Sequence, residues 1–168
     1  MNSEQPFQLV DTETARQKAQ RLFDCVRNRL VPLLPADADI LHIGATAVSG
    51  CLTKGDLDIV IRVPGEGFPQ ADALLARHFA RNDGSIRTDS FSAFEDASTD
   101  PHLGIQLTVV SGPHDFFHLF VEALRRSPDL VSEYNALKRQ HEGDDMINYR
   151  AAKDAFVERV LAGTRSRR

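Results

Sequence analysis

The chain has 168 residues, a length typical of one domain with a core of its own. Hydrophobic residues make up 42% of it and charged residues 26%, and the formal net charge of −4 gives no general attraction to nucleic acid or to an anionic membrane. No apolar run reaches the roughly 20 residues of a membrane span, and Cys25 and Cys51 lack metal-site spacing, so we expect a soluble cytoplasmic protein with free thiols.

The first half of the chain predicts two helices and two strands. Each helix shows apolar residues at helical spacing, and each strand is a short apolar run bounded by glycine or proline. Asp11 or Thr12 caps the first helix, and Pro69 lies in the first turn of the second. In chain order the elements are a helix over 12–34, strands over 40–43 and 56–63, and a helix over 69–81.

The second half predicts two more strands followed by three helices. The segment HLGIQLTVVSG is rich in β-branched residues and stops at a Gly-Pro pair. Ser127 and Pro128 form a helix start, and Gly163 is the expected stop of the last helix. In chain order the elements are strands over 85–96 and 102–112, and helices over 114–126, 127–141 and 146–162.

The order of these elements favours an α+β fold, because the strands cluster near the middle of the chain. A doubly wound parallel sheet would instead alternate strictly between strand and helix. We therefore expect a small mixed β-sheet flanked by helices, with C-terminal helices beyond it. The expected single domain covers 1–168, with a core over about 12–112 and a C-terminal helical part over about 115–163.

Two carboxylates stand at the start of the second strand, in the segment KGDLDIVIRV. Successive strand side chains point to opposite faces, so Asp56 and Asp58 project together, while Leu57 and Ile59 point into the core. Neighbouring ionised carboxylates repel each other and are costly to desolvate. Because Mg²⁺ is typically held by one or two carboxylates plus substrate phosphates, the pair predicts a site for Mg²⁺ or Mn²⁺.

A loop of small residues, GATAVSG over 44–50, lies just before the carboxylate pair. Gly44, Ala45 and Thr46 let backbone amides approach a ligand closely, and N–H groups in such a turn bind phosphate oxygens. Thr46 adds a hydroxyl and Lys54 a positive charge. An Asp-x-Asp pair alone is usually a solvated strand face, and such a turn alone is common. Their combination favours a metal and triphosphate site.

A glycine turn followed by Asp-apolar-Asp at a strand start resembles the nucleotidyltransferase superfamily related to DNA polymerase β. More narrowly, the chain resembles the GrpB (UPF0157) family of small bacterial proteins assigned to that fold. The resemblance covers most of the chain from His42 onward. The matching segments are HIGATAVSG over 42–50, LFVEALRRSPDLVSEYNALKR over 119–139 and YRAAKDAFVERVL over 149–161.

The resemblance implies a nucleotidyltransferase-like fold and the transfer of a nucleoside monophosphate from NTP to an acceptor. The acceptor, a small molecule or a protein, is not identified by the sequence. In this family pattern Asp56 and Asp58 are the catalytic residues and hold the metal. Lys138, Tyr149 and Lys153 occupy the family positions expected to contact the triphosphate and to stack a base.

The sequence departs from the family pattern at the turn and at the strand start. GrpB sequences usually read Gly-Ser-Thr where this chain has Ala45 in the middle, so a serine hydroxyl expected near the phosphates is missing. Family members often keep only the second aspartate, whereas this chain has both Asp56 and Asp58. Arg125 matches the helix-end arginine of the family.

The transferase hypothesis requires a third acidic residue, which the sequence does not identify. Active superfamily members bring it from a later strand, where it serves as a base toward the acceptor hydroxyl and as a metal ligand. The strand GIQLTVV carries Gln106 and Thr108 where GrpB proteins tend to have His-x-His, and neither can act as a base. Glu95, Asp96 and Asp100 lie just before this strand, and the sequence does not select among them.

Two alternatives to an active transferase remain open. One is a catalytically degenerate nucleotide-binding or interaction module with the same fold, and the other is a phosphohydrolase or ligase on an unrelated α/β scaffold. Other reactive residues add little: His42 is either a core residue or a support for the site, and Cys51 has no His–acid partners. His114 and His118 are one helical turn apart, but a zinc site would need a third ligand.

Overall fold

Five strands and five α-helices make up residues 5–166, the part of the chain that this computed structural model describes. Two short 3₁₀ turns, Ala45–Ala47 and Gly65–Gly67, follow β1 and β2. In chain order the elements are α1 Thr12–Leu30, β1 Asp39–Ile43, β2 Leu57–Val63, α2 Phe68–His78, β3 Ala80–Arg81, β4 Phe91–Asp96, β5 Leu103–Val109, α3 Phe117–Arg126, α4 Pro128–Gln140 and α5 Met146–Arg165.

The strands form one mixed sheet in the order β1-β2-β5-β4-β3. β2 and β5 pair in parallel at its centre, and the other three pairings are antiparallel. The chain reaches β5 from β2 only after α2, β3 and β4, so the central pair joins segments far apart in sequence. The predicted α+β architecture with a mixed sheet is confirmed.

One side of the sheet, the apolar face, packs against α1 and α2. Its central row runs across β2, β5 and β4 as Ile59, Ile105 and Phe94, which are paired in register and fully buried. Leu30 of α1 and Leu75 of α2 cover this layer and are also fully buried. Burial of the alternating residues of β2 therefore drives the folding of this half of the molecule through the hydrophobic effect. These residues are Leu57, Ile59, Ile61 and Val63.

The opposite side, the site face, is only partly apolar. Over β1 and β2, Ile43 and Val60 pack with Leu124 of α3, Tyr134 of α4 and Phe156 of α5 in a second hydrophobic cluster. Where β5 and β4 lie level with Asp58 and Val60, the same face carries polar or small residues. They are Gly104, Gln106, Ala93 and Glu95. The C-terminal helices thus cover one end of this face and meet the polar part at the middle of the sheet.

Two helix ends differ from the sequence prediction. α1 ends at Leu30 rather than near Leu34, and residues 31–34 form turns that return to the Leu30 carbonyl. Pro35 has no N–H with which to continue the helical hydrogen bonding, and a tight turn replaces the last predicted helical turn before it. α5 continues to Arg165 through Gly163, which was expected to stop it. Thr164 and Ser166 bond to the preceding turn and extend the helix.

The segment between α2 and β5 also differs. The helix predicted to reach residue 81 ends at His78, and Ala80–Arg81 form the short edge strand β3, which was missed. The strand predicted from residue 85 begins at Phe91, where pairing with β5 begins. Two residues are too few for a hydrophobic pattern, so only the partner strand reveals β3.

Helix α3 begins at Phe117, three residues later than predicted. Asp115 is held before it, accepting the Ser111 amide and pairing with Arg62. Consequently His114 lies outside the helix and stacks on Phe91, with ring centroids 4.8 Å apart, while His118 faces Asp115 at 3.6 Å. The helical spacing that suggested a zinc site is therefore absent.

The thiol prediction is confirmed, since Cys25 and Cys51 are both free, the first exposed and the second buried. Across residues 5–166 none of the helices combines the length and the apolar character that crossing a bilayer would demand.

Candidate active site

Asp58 lies between two glycines on the site face. A Cβ atom added to Gly44 would come within 2.8 Å of one Asp58 carboxylate oxygen, and one added to Gly104 within 2.8 Å of the other. Gly44 also has φ +75°, a conformation that other residues rarely adopt. Backbone from the β1–turn segment and from β5 therefore approaches this carboxylate from both sides, leaving space that any other residue would fill.

A row of paired residues runs from Asp58 across the sheet. Asp58 is opposite Gly104 on β5, and Gly104 is opposite Glu95 on β4. Asp58 and Glu95 thus share one face, with only a glycine between them and backbones roughly 10 Å apart. Of the three acids left open by the sequence, Glu95 is the one on this row. Asp96 is in register with buried Leu103 of the apolar face, and exposed Asp100 pairs with Lys18 at 3.4 Å.

Asp56 lies just before β2 and is surrounded by positive or polar groups. The ammonium of Lys54 forms an ion pair with its carboxylate. His102 Nδ1 is 3.9 Å from the same carboxylate, and His102 Nε2 is 3.4 Å from Glu95 Oε2. His102 therefore lies between Asp56 and Glu95. A cavity of about 370 Å³ opens beside this group and is also lined by Lys18 of α1.

Asp58 is a buried carboxylate close to a second carboxylate, which disfavours its charged form. Burial raises the pKa of Asp58 above its usual value; the positive charge of Lys153 opposes this, and the charge of Asp56 adds to it. Lys153 comes from α5, so the C-terminal helices bring a cation to the carboxylate that β2 presents. Of the predicted site lysines, Lys153 has the larger effect on Asp58, whereas Lys54 is the one that pairs directly with Asp56.

The donor set fits a hard divalent cation that takes part of its coordination from a ligand. Asp56 and Asp58, two residues apart, supply anionic oxygens, and the glycines on either side of Asp58 keep other side chains clear of it. Within residues 5–166, three His, Cys, Asp or Glu side chains nowhere converge as a ready metal site. A cation would thus need oxygens from substrate phosphates, as is usual for Mg²⁺.

The Gly44 loop, residues 44–50, contains the 3₁₀ turn Ala45–Ala47. The first amides of such a turn have no partner within it and point outward. The Thr46 side chain is buried: its hydroxyl donates to the Asp56 carbonyl at 3.1 Å and lies 2.9 Å from His42 Nε2. His42 and Thr46 therefore tie β1 and the loop to the carboxylate segment.

Residues of α3 and α4 fix the far side of the loop. Arg125 donates from Nε and Nη2 to the Ala47 carbonyl at 3.2 and 2.7 Å. Asn135 donates to the Gly50 carbonyl at 2.9 Å and accepts the Leu52 amide at 2.8 Å. The loop is thus held by side chains from two C-terminal helices.

Lys138 is buried beneath this loop, with 2% of its surface exposed. Its ammonium donates to the Leu52 carbonyl, lies 3.5 Å from Cys51 Sγ and is 3.9 Å above the ring of Tyr134. Burial lowers its pKa to about 8. This position favours a role in holding the loop, and direct contact with a triphosphate stays a prediction.

Tyr149 is also buried, and its ring is already stacked. Phe7, from the segment before α1, lies parallel to it with ring centroids 3.8 Å apart and an interplanar angle of 8°. The Tyr149 hydroxyl bonds with that of Tyr134, and burial raises the pKa of both. A nucleobase would need Phe7 to move before it could stack there, so base stacking on Tyr149 stays a prediction.

Two residues of the site were missed by the sequence analysis. Gly104 interrupts a strand otherwise rich in apolar residues, and a glycine inside a strand often marks a close approach of another group. That signal was present. No sequence signal indicated His102, because its position between Asp56 and Glu95 depends on the pairing of β2, β5 and β4.

Comparison with known proteins shows similarity over most of the chain. The family model described as GrpB protein matches residues 10–163. A UPF0157 protein of Vibrio cholerae is 32% identical over 156 residues, which cover 92% of this chain and 82% of that protein. The crystal structure of the conserved protein GrpB from Enterococcus faecalis is similar with a TM-score of 0.66 at 18% identity, over 84% of this chain and 89% of that one.

A second structural similarity is to a characterised enzyme. The Cid1 poly(U) polymerase, in a mutant form bound to MgATP, matches with a TM-score of 0.52 at 11% identity. The match covers 77% of this chain but only 42% of Cid1. At this identity the similarity shows a nucleotidyltransferase-like fold.

Proposed function

The chain belongs to the GrpB family, and from that premise we propose that it is a metal-dependent nucleotidyltransferase. It moves a nucleoside monophosphate from an NTP to the hydroxyl or phosphate of an acceptor, a small molecule or a protein. The observation that carries the proposal is the position of Asp58, held between Gly44 and Gly104 on the face that carries Glu95, with Asp56 just before the same strand. The fold shared with Cid1, whose mutant form binds MgATP, supports it.

Asp56 and Asp58 would hold Mg²⁺ or Mn²⁺ in this reaction. A metal bound there polarises phosphoryl oxygens and neutralises charge that develops on them. The turn amides of the Gly44 loop orient the phosphates, and Thr46 fixes the loop against the Asp56 backbone. Lys153 and Lys54 add positive charge beside the same carboxylates. The rate enhancement therefore comes from positioning and charge neutralisation.

Glu95 is the best-placed candidate for the third acid. It shares the face of Asp58 and is linked through His102 to Asp56. Its role is to accept a proton from the acceptor hydroxyl as the hydroxyl attacks the phosphorus atom. In this arrangement the third acid comes from β4, and Gly104 of β5 leaves the path between them open.

The test is titration calorimetry with ATP, GTP, CTP and UTP in the presence of Mg²⁺ or Mn²⁺, followed by an assay for pyrophosphate release. We expect at least one nucleotide to bind the wild-type protein and Asp58→Asn to abolish that binding. Asp89→Asn is the matched control, because it removes an exposed carboxylate just before β4, beyond the strand end that is far from Glu95. Absence of binding by all four nucleotides would overturn the proposal.

A nucleotide-binding module without turnover is the second candidate. It is favoured by Gln106 and Thr108 on β5, since neither can act as a base in the strand that borders the carboxylate pair. This module would bind nucleotide, release no pyrophosphate with any acceptor, and respond equally to Asp58→Asn. Glu95→Gln sharpens the distinction: in a transferase the variant releases less pyrophosphate than the wild type at unchanged nucleotide affinity, whereas in a module both proteins bind nucleotide equally and neither releases pyrophosphate.

A further inference from the structure

Lys54 is presented to Asp56 by a turn that the fold holds in place. Gly55, between them, has φ +108°, a conformation that suits glycine, and the chain bends there with the two side chains in contact. The Gly55 amide donates to the Thr53 hydroxyl at 2.9 Å, and the buried Thr53 accepts the Val10 amide at 3.0 Å through its carbonyl. The ion pair is therefore part of the local structure rather than a chance surface contact.

The ammonium of Lys54 lies where a metal bound to Asp56 would need space and negative charge. The side chains of Lys54 and Asp56 are 29% and 23% exposed, so water screens their attraction only in part. A divalent cation that approaches Asp56 meets this ammonium and the ring of His102. Like charges so close repel strongly, so the cation binds only after Lys54 has left.

A triphosphate offers an alternative anion to which the Lys54 ammonium can move. The Asp56 backbone is joined to the Gly44 loop through Thr46, so phosphates bound by that loop would lie next to the Lys54–Asp56 pair. An ammonium that moves to a phosphate oxygen exchanges one anion for another and frees the carboxylate for the metal. Metal and nucleotide then assist each other, and the thermodynamic coupling is the same in both directions.

We infer that Lys54 is an internal counter-ion of Asp56 that occupies the metal position in the ligand-free protein and transfers to the nucleotide phosphates on binding. This inference rests on the proposed function and adds a regulation to it: the free metal binds weakly, whereas the metal and NTP bind cooperatively. Lys54 is thus a positioning residue that suppresses metal binding without substrate.

The test measures Mn²⁺ binding by electron paramagnetic resonance, with and without a non-hydrolysable NTP analogue. For the wild type we expect weak Mn²⁺ binding that strengthens by about tenfold with the analogue, a factor within the usual range of coupling between sites. Lys54→Met keeps most of the side-chain length but removes the charge. It should bind Mn²⁺ alone about tenfold more tightly and lose most of the coupling. Lys54→Arg should keep the wild-type pattern.

Lys18→Met is the matched control, because Lys18 lines the same cavity but pairs with exposed Asp100 at 3.4 Å. It should leave the Mn²⁺ affinity and the coupling unchanged. Thermal unfolding of each variant confirms that differences in binding do not reflect loss of structure.

The outcomes separate this inference from the proposed function. If Lys54→Met binds Mn²⁺ alone no more tightly than the wild type, the counter-ion role is wrong, even when the wild type binds Mn²⁺ with nucleotide. If Lys54→Met gains Mn²⁺ affinity but no nucleotide binds either protein, the counter-ion role stands and the transferase proposal fails. If neither protein binds Mn²⁺ under any condition, both are wrong.

Discussion

The two faces of the sheet carry different kinds of residues on the same strands. On the apolar face, Ile59, Ile105 and Phe94 form an unbroken row of large, fully buried side chains. One residue away along each of β2, β5 and β4, the site face carries Asp58, Gly104 and Glu95 instead. The apolar face is filled by large apolar side chains, whereas on the site face a glycine leaves space beside the two carboxylates.

This difference indicates how the molecule separates stability from function. Burial of apolar area on the apolar face offsets the cost of placing carboxylates and glycines in the centre of the sheet. Ile59 and Asp58 are adjacent in sequence and serve opposite purposes. Substitutions on the apolar face should mainly lower stability, and those on the site face should mainly affect ligand binding. Four substitutions or conditions can test this difference.

The largest effect is expected for Ile59→Ala on the apolar face. Removal of a fully buried branched side chain leaves a cavity and should lower the free energy of unfolding by about 2–5 kcal/mol. Urea denaturation measures this directly. The adjacent Asp58→Asn should change stability by less than about 1 kcal/mol, since it removes no volume and relieves the burial of a charge. Equal losses for the two variants would contradict the separation of roles.

Gly104→Ala should be intermediate, because a Cβ atom there lies 2.8 Å from an Asp58 oxygen. We expect a loss of about 1–3 kcal/mol from overpacking, together with loss of metal–nucleotide binding as the carboxylate is displaced. A double-mutant cycle isolates the cause: in an Asp58→Ala background the same substitution should cost much less. If it costs as much there, contact with Asp58 is not the reason.

Protonation of His42 should make the stability of the protein depend on pH. His42 joins the apolar face to the Gly44 loop through Thr46. Burial, with Arg125 and Arg16 nearby, lowers its pKa to about 4, against 6.5 in the unfolded chain. Between these values the unfolded chain binds more protons, so stability falls as pH is lowered from 6.5 toward 4. One proton contributes at most about 1.4 kcal/mol per pH unit.

His42→Gln should show a shallower loss of stability over this range, as measured by thermal unfolding at successive pH values. An identical pH profile for the wild type and the variant would show that the folded protein protonates His42 as readily as the unfolded chain.

The smallest effect is expected far from both faces, at Gly163→Ala. Gly163 lies within α5, and an added Cβ would meet nothing within 4 Å. Alanine should raise stability by about 0.5–1 kcal/mol through helix propensity and leave nucleotide binding unchanged. Gly143→Ala is the matched control, because its Cβ would also meet nothing, but its φ of +88° should make alanine destabilising. Destabilisation by Gly163→Ala in calorimetry would contradict the prediction.

Much of the architecture could be predicted from local patterns. The alternation in β2 and the caps at Asp11 and Ser127 indicated elements whose positions are confirmed to within a few residues. The errors occurred where long-range pairing decides the structure. β3 exists only because β4 offers it a partner, and β4 begins only where β5 begins to pair with it.

The candidate site divides in the same way. Asp56, Asp58 and the Gly44 loop lie within one short segment, so their proximity follows from the chain itself. Glu95, His102 and Lys153 join them from β4, from the start of β5 and from α5. Lys138 and Tyr149 carried the same family signal as Lys153, but their buried contacts with Leu52 and Phe7 favour support of the fold.

The sequence by itself determined the fold class, the family, and the pair of carboxylates beside a small-residue turn. These depend on periodicity and on spacing within a few turns of chain, which short-range geometry converts into structure. Only the tertiary structure decided that Gly104 gives Asp58 its space, that Glu95 shares its face and that Lys54 is paired with Asp56. Register between distant strands sets the first two of these, because a shift of one residue would turn each side chain to the other face.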